Sequence, residues 1–358
     1  TNWLHSSINK RIKLIMAYTT INKSSDYFNV QIWDGNDGSN RAMTTGFQPD
    51  WVWIKARDGT YDHHLYDAVR GATYAVASNT NAAQATKTNG LKSFTSDGFT
   101  LGGDAGVNDV SLDYVGWSWK AGGGQGSSNT DGSINTTYTS ANTTSGFSIS
   151  QYTGTGSNAT IGHGLGVAPA AVMIKKTNTT SDWVVGQNGM GGWNYVTNLN
   201  SASGRADQAN QFQSTAPSSS VITLGTESQI NQSGATFICY AFAEKKGFSK
   251  FGTYTGNGNA DGAFIFTGFK PSWLLIKRIV GGDAPFCIFD NKRIGYNPNK
   301  LLLANNTNVE SSANFDILSN GFKTRTTDGE WNGSGNTYVY MAIGQSLVGS
   351  NNIPATAR

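Results

Sequence analysis

The stretch Gly268-Phe-Lys-Pro-Ser-Trp-Leu-Leu-Ile-Lys277 decides how this chain is read, because Gly46-Phe-Gln-Pro-Asp-Trp-Val-Trp-Ile-Lys55 nearly repeats it. Proline has a fixed φ and no N–H, so it belongs at the first residue of a strand or on an edge. It also pushes the preceding residue toward an extended shape. Gly and Phe ahead of it supply a turn and an apolar anchor. The run after it is apolar on both faces, which marks a central strand between two packed sheets. Lys55 and Lys277 are expected to return the chain to water. A weaker copy, Gly164-Leu-Gly-Val-Ala-Pro169-Ala-Ala-Val-Met-Ile174-Lys175, lies between the two.

Other landmarks keep step with the proline. A strand-like opening recurs at Tyr27–Trp33, Gly146–Tyr152 and Phe251–Tyr254, each followed by a Gly-rich turn. A late turn and strand recur as Ser96-Asp-Gly-Phe-Thr-Leu101 and Ser319-Asn-Gly-Phe-Lys323, with Val221-Ile-Thr-Leu224 at the same place in the middle copy. Each copy closes on an alternating aromatic strand: Asp113–Lys120, Thr236–Ala243 and Thr337–Ile343. Internal self-similarity takes precedence over any local signal. The chain therefore divides into an N-terminal extension or arm (1–15), a first unit (16–122), a Gly/Ser-rich flexible linker (123–139), second and third units (140–246 and 247–349), and a C-terminal tail (350–358). The expected fold is all-β, three tandem antiparallel β-sandwiches of the jelly-roll, lectin-like kind. Propellers and β-helices are the alternative, but their repeats are much shorter.

Composition agrees. Of 358 residues, 44 are Gly and only 14% are charged, with 11% aromatic. Just four are Glu, too few for the exposed faces of helices. The net charge of +3 forms no basic stripe with interleaved aromatics, so nucleic acid is not an expected partner. No apolar run is long enough to suggest membrane insertion. The two cysteines, Cys239 and Cys287, each sit in an apolar run and are read as small buried hydrophobes.

Enzymatic patterns are weak. Glycoside hydrolysis needs two carboxylates facing across a cleft, and Glu227, Glu244, Glu310 and Glu330 are scattered. No Gly-x-Ser-x-Gly elbow supplies a nucleophile. The four His (5, 63, 64 and 163) are expected to face solvent or lie in turns, without a third ligand to make a metal site. The turns Asp34–Gly38 and Asn257–Gly262 carry oxygen ligands of the kind Ca²⁺ takes. Their Asn-Gly and Asp-Gly pairs read more directly as hairpin turns. No catalytic residue, metal or cofactor is therefore expected. Asp67 with Arg70, and Asp290 with Arg293, are expected to clamp a turn by an ion pair in two of the three units. Trp193, Tyr195 and Trp331 stand in polar, turn-like contexts and are the candidate contacts for a carbohydrate or a neighbouring subunit.

The segments Met16–Phe28, Gly46–Trp51, Leu65–Gly71 and Gly349–Arg358 resemble virion proteins of marine tailed bacteriophages that carry concanavalin-like jelly-roll units. The similarity covers essentially everything from Met16 onward. It implies a non-enzymatic virion component exposed on the particle, a tail-fibre or appendage subunit contacting the host. A head-decorating protein or head fibre is the alternative, with a polysaccharide-degrading spike as a third reading. The implied partners are other virion proteins, copies of itself in a homo-oligomer such as a trimer, and host-surface glycans.

Overall fold

The computed structural model describes residues 19–21, 23–293 and 299–346. The expected arm (1–15) and tail (350–358) lie outside these. The chain is almost entirely β, built from antiparallel sheets in an all-β sandwich fold.

Each repeat contributes one large sheet with a common strand order. In the first unit it runs Phe28–Asp34, Asp113–Trp119, Trp51–Ala56, His64–Asp67. The second has the equivalent order Phe147–Thr153, Thr236–Phe242, Ala171–Lys176, Val184–Gln187, with Tyr138–Asn142 added at one edge. The third follows with Ser249–Thr255, Thr337–Ser346, Phe269–Val280, Phe286–Asp290, and two more strands beyond. The proline-led strand is central in all three. A smaller sheet covers one face of each: Arg41–Thr44, Gly98–Leu101 and Leu91–Thr95 in the first unit, for example.

The GFxP turn is explained by its bonds. Gly46 and Gly268 take φ of +87° and +84°, where a Cβ would be strained. The peptide N–H groups of Thr45 and Gly46 donate to Asp97 O, and those of Thr267 and Gly268 donate to Asn320 O. The two repeated motifs, Gly-Phe-x-Pro and Ser-Asp/Asn-Gly, thus grip each other. In the first two units the strand starts just after the proline, at Trp51 and Ala171. In the third, Pro271 lies inside the strand, at a register shift between Pro271 and Trp273, which is a further place a sheet tolerates proline.

The second apolar face of these strands has an unexpected cover. Val52 and Ile54 pack into the first unit's own intersheet core, as Val172 and Ile174 do in the second and Leu274 and Ile276 in the third. The alternate residues, Trp51, Trp53, Ala171, Met173, Trp273 and Leu275, all enter one further core shared by the three units. There Trp51 lies 4.7 Å from Tyr240 of the second unit, and Trp119 meets Trp273 of the third edge-on at 5.3 Å. The units are not beads on a string but three sandwiches packed around a common centre.

They also close a ring. Gln84 N donates to Thr177 O at 2.9 Å, Arg205 N to Ile279 O at 3.1 Å, and Glu310 N to Arg57 O at 2.6 Å. These acceptors stand at one repeat position, two residues beyond Lys55, Lys175 and Lys277. Those lysines correct a sequence expectation, because none reaches water: their exposures are 0%, 0% and 1%. Their ammonium groups donate to backbone carbonyls, Lys175 to Asn81 O of the first unit and Lys277 to Ala202 O of the second. Burial pushes each pKa down to about 8.

The segment expected to be a flexible linker is bonded in place at its start and along its length. The Asp50 carboxylate, fully buried, accepts from the N–H groups of Ala121, Gly123 and Gly124 at 2.7, 3.0 and 2.6 Å. Ser127 bridges to Thr139, and Ile134 pairs with Ile161. The glycines serve close bonding here rather than slack.

The three described histidines are also buried, against expectation, while His5 lies outside the described residues. His63 Nδ1 accepts from Trp53 Nε1 at 2.8 Å, which leaves the proton on Nε2 to donate to Leu303 O of the third unit. His163 uses the same tautomer, accepting from Leu165 N and donating to Ser218 O. Burial lowers the pKa of both, and of His64 to about 4. The unfolded chain therefore binds protons below its ordinary histidine pKa of about 6.5 that the fold refuses, so stability falls as pH drops through that window. From His64 alone the loss approaches on the order of 3 kcal/mol by pH 4. Thermal melts between pH 7.5 and 4.5 are expected to show a falling midpoint from about pH 6.5. A midpoint flat to pH 5 would contradict the buried neutral imidazoles.

Candidate functional site

The Gly-rich turns do not make hairpins. Asp34–Gly38 carries the chain from the large sheet of the first unit to its small one, since Phe28–Asp34 and Arg41–Thr44 belong to different sheets. A fully buried Asn holds the turn. Asn108 Nδ2 donates to Asn36 Oδ1, Gly38 O and Gly102 O, at 2.9–3.2 Å. Asn231 does the same for Ser157 O and Gly225 O, and Asn332 for Asn257 Oδ1, Asn259 O and Thr326 O. The turn oxygens that could have faced a cation are aimed at an amide instead. Among the described residues no group of three or more His, Cys, Asp and Glu is placed to hold a metal ion. Sequence reading missed these asparagines, although each stands six residues before an aromatic of the closing strand, Tyr114, Phe237 or Tyr338.

The aromatic candidates are placed differently from expectation. Trp193 is 6% exposed; its Nε1 donates to Asn188 Oδ1 and its ring meets Phe212 edge-on. Trp331 is 4% exposed and packs edge-on against Phe289 in the third unit's core. Neither indole offers a face to a sugar or a second subunit. Tyr195 is half-buried against the shared centre, with the Arg205 guanidinium 4.2 Å over its ring. The glycines beside Trp193 looked like a turn signal. They do stand in a turn, at φ of +97° for Gly191 and +147° for Gly192, and Gly186 separately makes room for the indole, because a Cβ on it would lie 2.7 Å from the Trp193 ring.

Asp67 Oδ1 accepts from Arg70 N at 2.8 Å and Oδ2 from Arg70 Nε at 2.6 Å; Asp290 and Arg293 repeat this at 2.9 and 2.6 Å. Both pairs are wholly buried and reach across the ring. Tyr240 OH of the second unit donates to Asp67 Oδ2 at 2.7 Å, and Trp117 Nε1 of the first donates to Asp290 Oδ2 at 3.1 Å. In the second unit Gln187 and Met190 hold the equivalent positions, as the pairing of Trp51, Ala171 and Trp273 with Asp67, Gln187 and Asp290 shows. Met341 holds the repeat position of Trp117 and Tyr240 and has no donor, and Gln187 gives its own Nε2–H to Tyr340 O at 2.9 Å. These four charged residues are joints between units.

A concave site on the first unit stands apart from this framework. A cleft of about 360 Å³ opens on the first unit, lined by Tyr61, Asp62, His64, Lys87, Asp104 and Gly106 together with Thr80, Val76 and six alanines. His64 sits on the strand His64–Asp67, directly opposite Ile54. Asp104 is fixed by Gly106 N on Oδ1 (2.8 Å) and by Lys87 on Oδ2 (3.4 Å). Asp62 Oδ1 accepts from Asn79 Nδ2 at 2.7 Å. Gly106 is there for space, since a Cβ would stand 2.3 Å from His64 Nε2.

The sheets and the shared centre define an all-β protein made of three fused sandwich repeats. The chain belongs to the DUF7483 family, a domain of unknown function, whose profile matches residues 23–346. No curated protein matches it.

Proposed function

We propose that this chain is a non-enzymatic structural component of a bacteriophage particle, a tail-fibre or appendage subunit that meets the host surface. The observation that carries the reading is the core shared by all three repeats, which makes one stiff body of them. The sequence resemblance to phage virion proteins, running from Met16 onward, supplies the setting. The acidic residues support a structural role: Glu310 is gripped by Arg57 through two hydrogen bonds of 3.0 and 2.8 Å, and both buried Asp–Arg pairs join units. Inside one chain the ring of three does what a trimer does between chains, burying three apolar faces at one centre.

The ring also favours a second reading. A body with threefold-like architecture suits a local threefold position in a capsid lattice, as a head-decorating protein would occupy. Gold-labelled antibody against this chain, imaged on intact particles, separates the two. Label at the tail is the expected result, label over the head selects the decorating protein, and particles without label overturn both. Release of reducing sugar from host envelope glycans by the purified chain would point instead to a degrading spike.

A further inference from the structure

We infer that the cleft of the first unit is a binding site for one residue of an uncharged glycan, or a polyol of that size. The inference goes beyond the particle reading and does not depend on it, since it concerns the isolated chain.

Its volume, about 360 Å³, lies at the lower end of the range of about 300–1,000 Å³ for small-molecule sites. The six alanines give a shallow apolar bed that fits the C–H face of a sugar ring. Tyr61, 38% exposed, stands at the rim, where an aromatic ring can stack. The polar groups suit hydroxyls better than ions. Two carboxylates line the cleft and Lys87 already neutralises one of them, so an anion meets net repulsion. Asp62, for its part, is already engaged by Asn79.

His64 points most directly to a ligand. It is 8% exposed, it lines the cleft, and its ring has no hydrogen-bond partner among the described residues. The other two described histidines use both ring nitrogens. Water reaches its ring nitrogens from the cleft, so a ligand hydroxyl would take the place of that water. At neutral pH it offers one donor and one acceptor, the pair that a sugar hydroxyl satisfies.

The repeats supply a control. Val184 and Cys287 hold the position of His64, each opposite the isoleucine of its proline-led strand. Two residues before the buried Asn, where the first unit has Gly106, the second has Gln229 and the third Glu330. Gln229 Oε1 accepts from Gln211 Nε2, and Glu330 Oε2 lies 4.0 Å from Cys287 Sγ, whereas in the first unit the His64 ring takes the space beside Gly106. Histidine and glycine occur together in the first unit; the second unit has a cleft of about 620 Å³ at the equivalent place, lined by Gln208, Glu227 and Gln229, that lacks both. The framework does not need them, because two units stand without them.

Titration calorimetry and saturation-transfer NMR on the full chain test this with glucose, galactose, mannose and N-acetylglucosamine, and with glucosamine and sialic acid as charged controls. At least one neutral sugar is expected to bind. His64→Val, which installs the second unit's residue, and Ala82→Trp, which fills the cleft from an exposed position, are each expected to weaken binding roughly tenfold or more with the melting temperature unchanged. Ala82→Trp keeps the test decisive if His64→Val fails to fold. The inference is overturned if no neutral sugar binds, if only a charged control does, or if the folded variants bind as well as the parent.

Discussion

Replacing Asp290 with Ala will lower stability by roughly 3–5 kcal/mol, because it strands a charged guanidinium in the interior. Arg293 has a side-chain exposure of 0%, and its nearest remaining carboxylate, Glu310, is 3.7 Å away and committed to Arg57. The substitution also removes the acceptor for the N–H groups of Lys292 and Arg293 and for the Trp117 indole. The double replacement Asp67→Gln with Arg70→Met in the first unit will cost far less. It installs what the second unit already carries as Gln187 and Met190, and it removes both charges at once. Buried pairs behave in this way: breaking one is severe, while exchanging both partners for well-packed neutral groups is often close to neutral. Gln at 67 keeps an oxygen for Tyr240 OH. Urea denaturation of the two variants against the parent decides the matter, and a double variant as damaged as Asp290→Ala would show that the second unit's solution does not transfer.

Trp51→Ala is expected to cost about 3–5 kcal/mol, the usual range for deleting a fully enclosed tryptophan. The position matters as much as the amount. Trp51 packs at a tilt on Trp119 at 4.4 Å within its own unit and stacks on Tyr240 at 4.7 Å and Phe147 at 5.8 Å in the next. Independent sandwiches would lose one unit to this substitution and leave two transitions where they were. A common centre requires the whole unfolding curve to move together. Circular dichroism and tryptophan fluorescence followed on the same samples will distinguish these cases, and an unshifted major transition would argue against the shared core.

Much of this was readable in the residues, and the limit has a physical shape. The repeat was visible because Gly at positive φ, Pro at a strand start and the Asp/Asn-Gly turn are demands of backbone geometry that few other residues meet. Asp and Arg three apart pointed to a turn clamp for the same reason. Periodicity told that both faces of Trp51–Ala56 are apolar, but it carries no information about what covers each face. A third sandwich layer and a neighbouring unit look identical from inside the strand. The misplacement of Lys55, Lys175 and Lys277 follows from that: a lysine ending an apolar run normally meets water, but here it meets backbone carbonyls, those of its own unit for Lys55 and also those of the preceding unit for Lys175 and Lys277. His63 and His163 went unrecognised because their bonds run to distant backbone atoms, Leu303 O and Ser218 O. Trp193 and Trp331 do stand in turns, but a turn position does not say which way the side chain points, and both rings pack inward, on Phe212 and Phe289.

The ring has a temporal consequence. Arg57 and Glu310, whose bonds help complete it, are 253 residues apart in the chain. At a synthesis rate of about 5–20 residues per second, roughly 10–50 s pass on the ribosome between the two. Until the third repeat follows, the part of the first sandwich that it covers, where Trp53 and Trp119 meet Trp273, has nothing of its own chain to rest against. A second nascent copy offers the same complementary surface as the missing third repeat, so exchange of repeats between neighbouring chains is the characteristic assembly error this architecture invites, and crowded polysomes are where it arises.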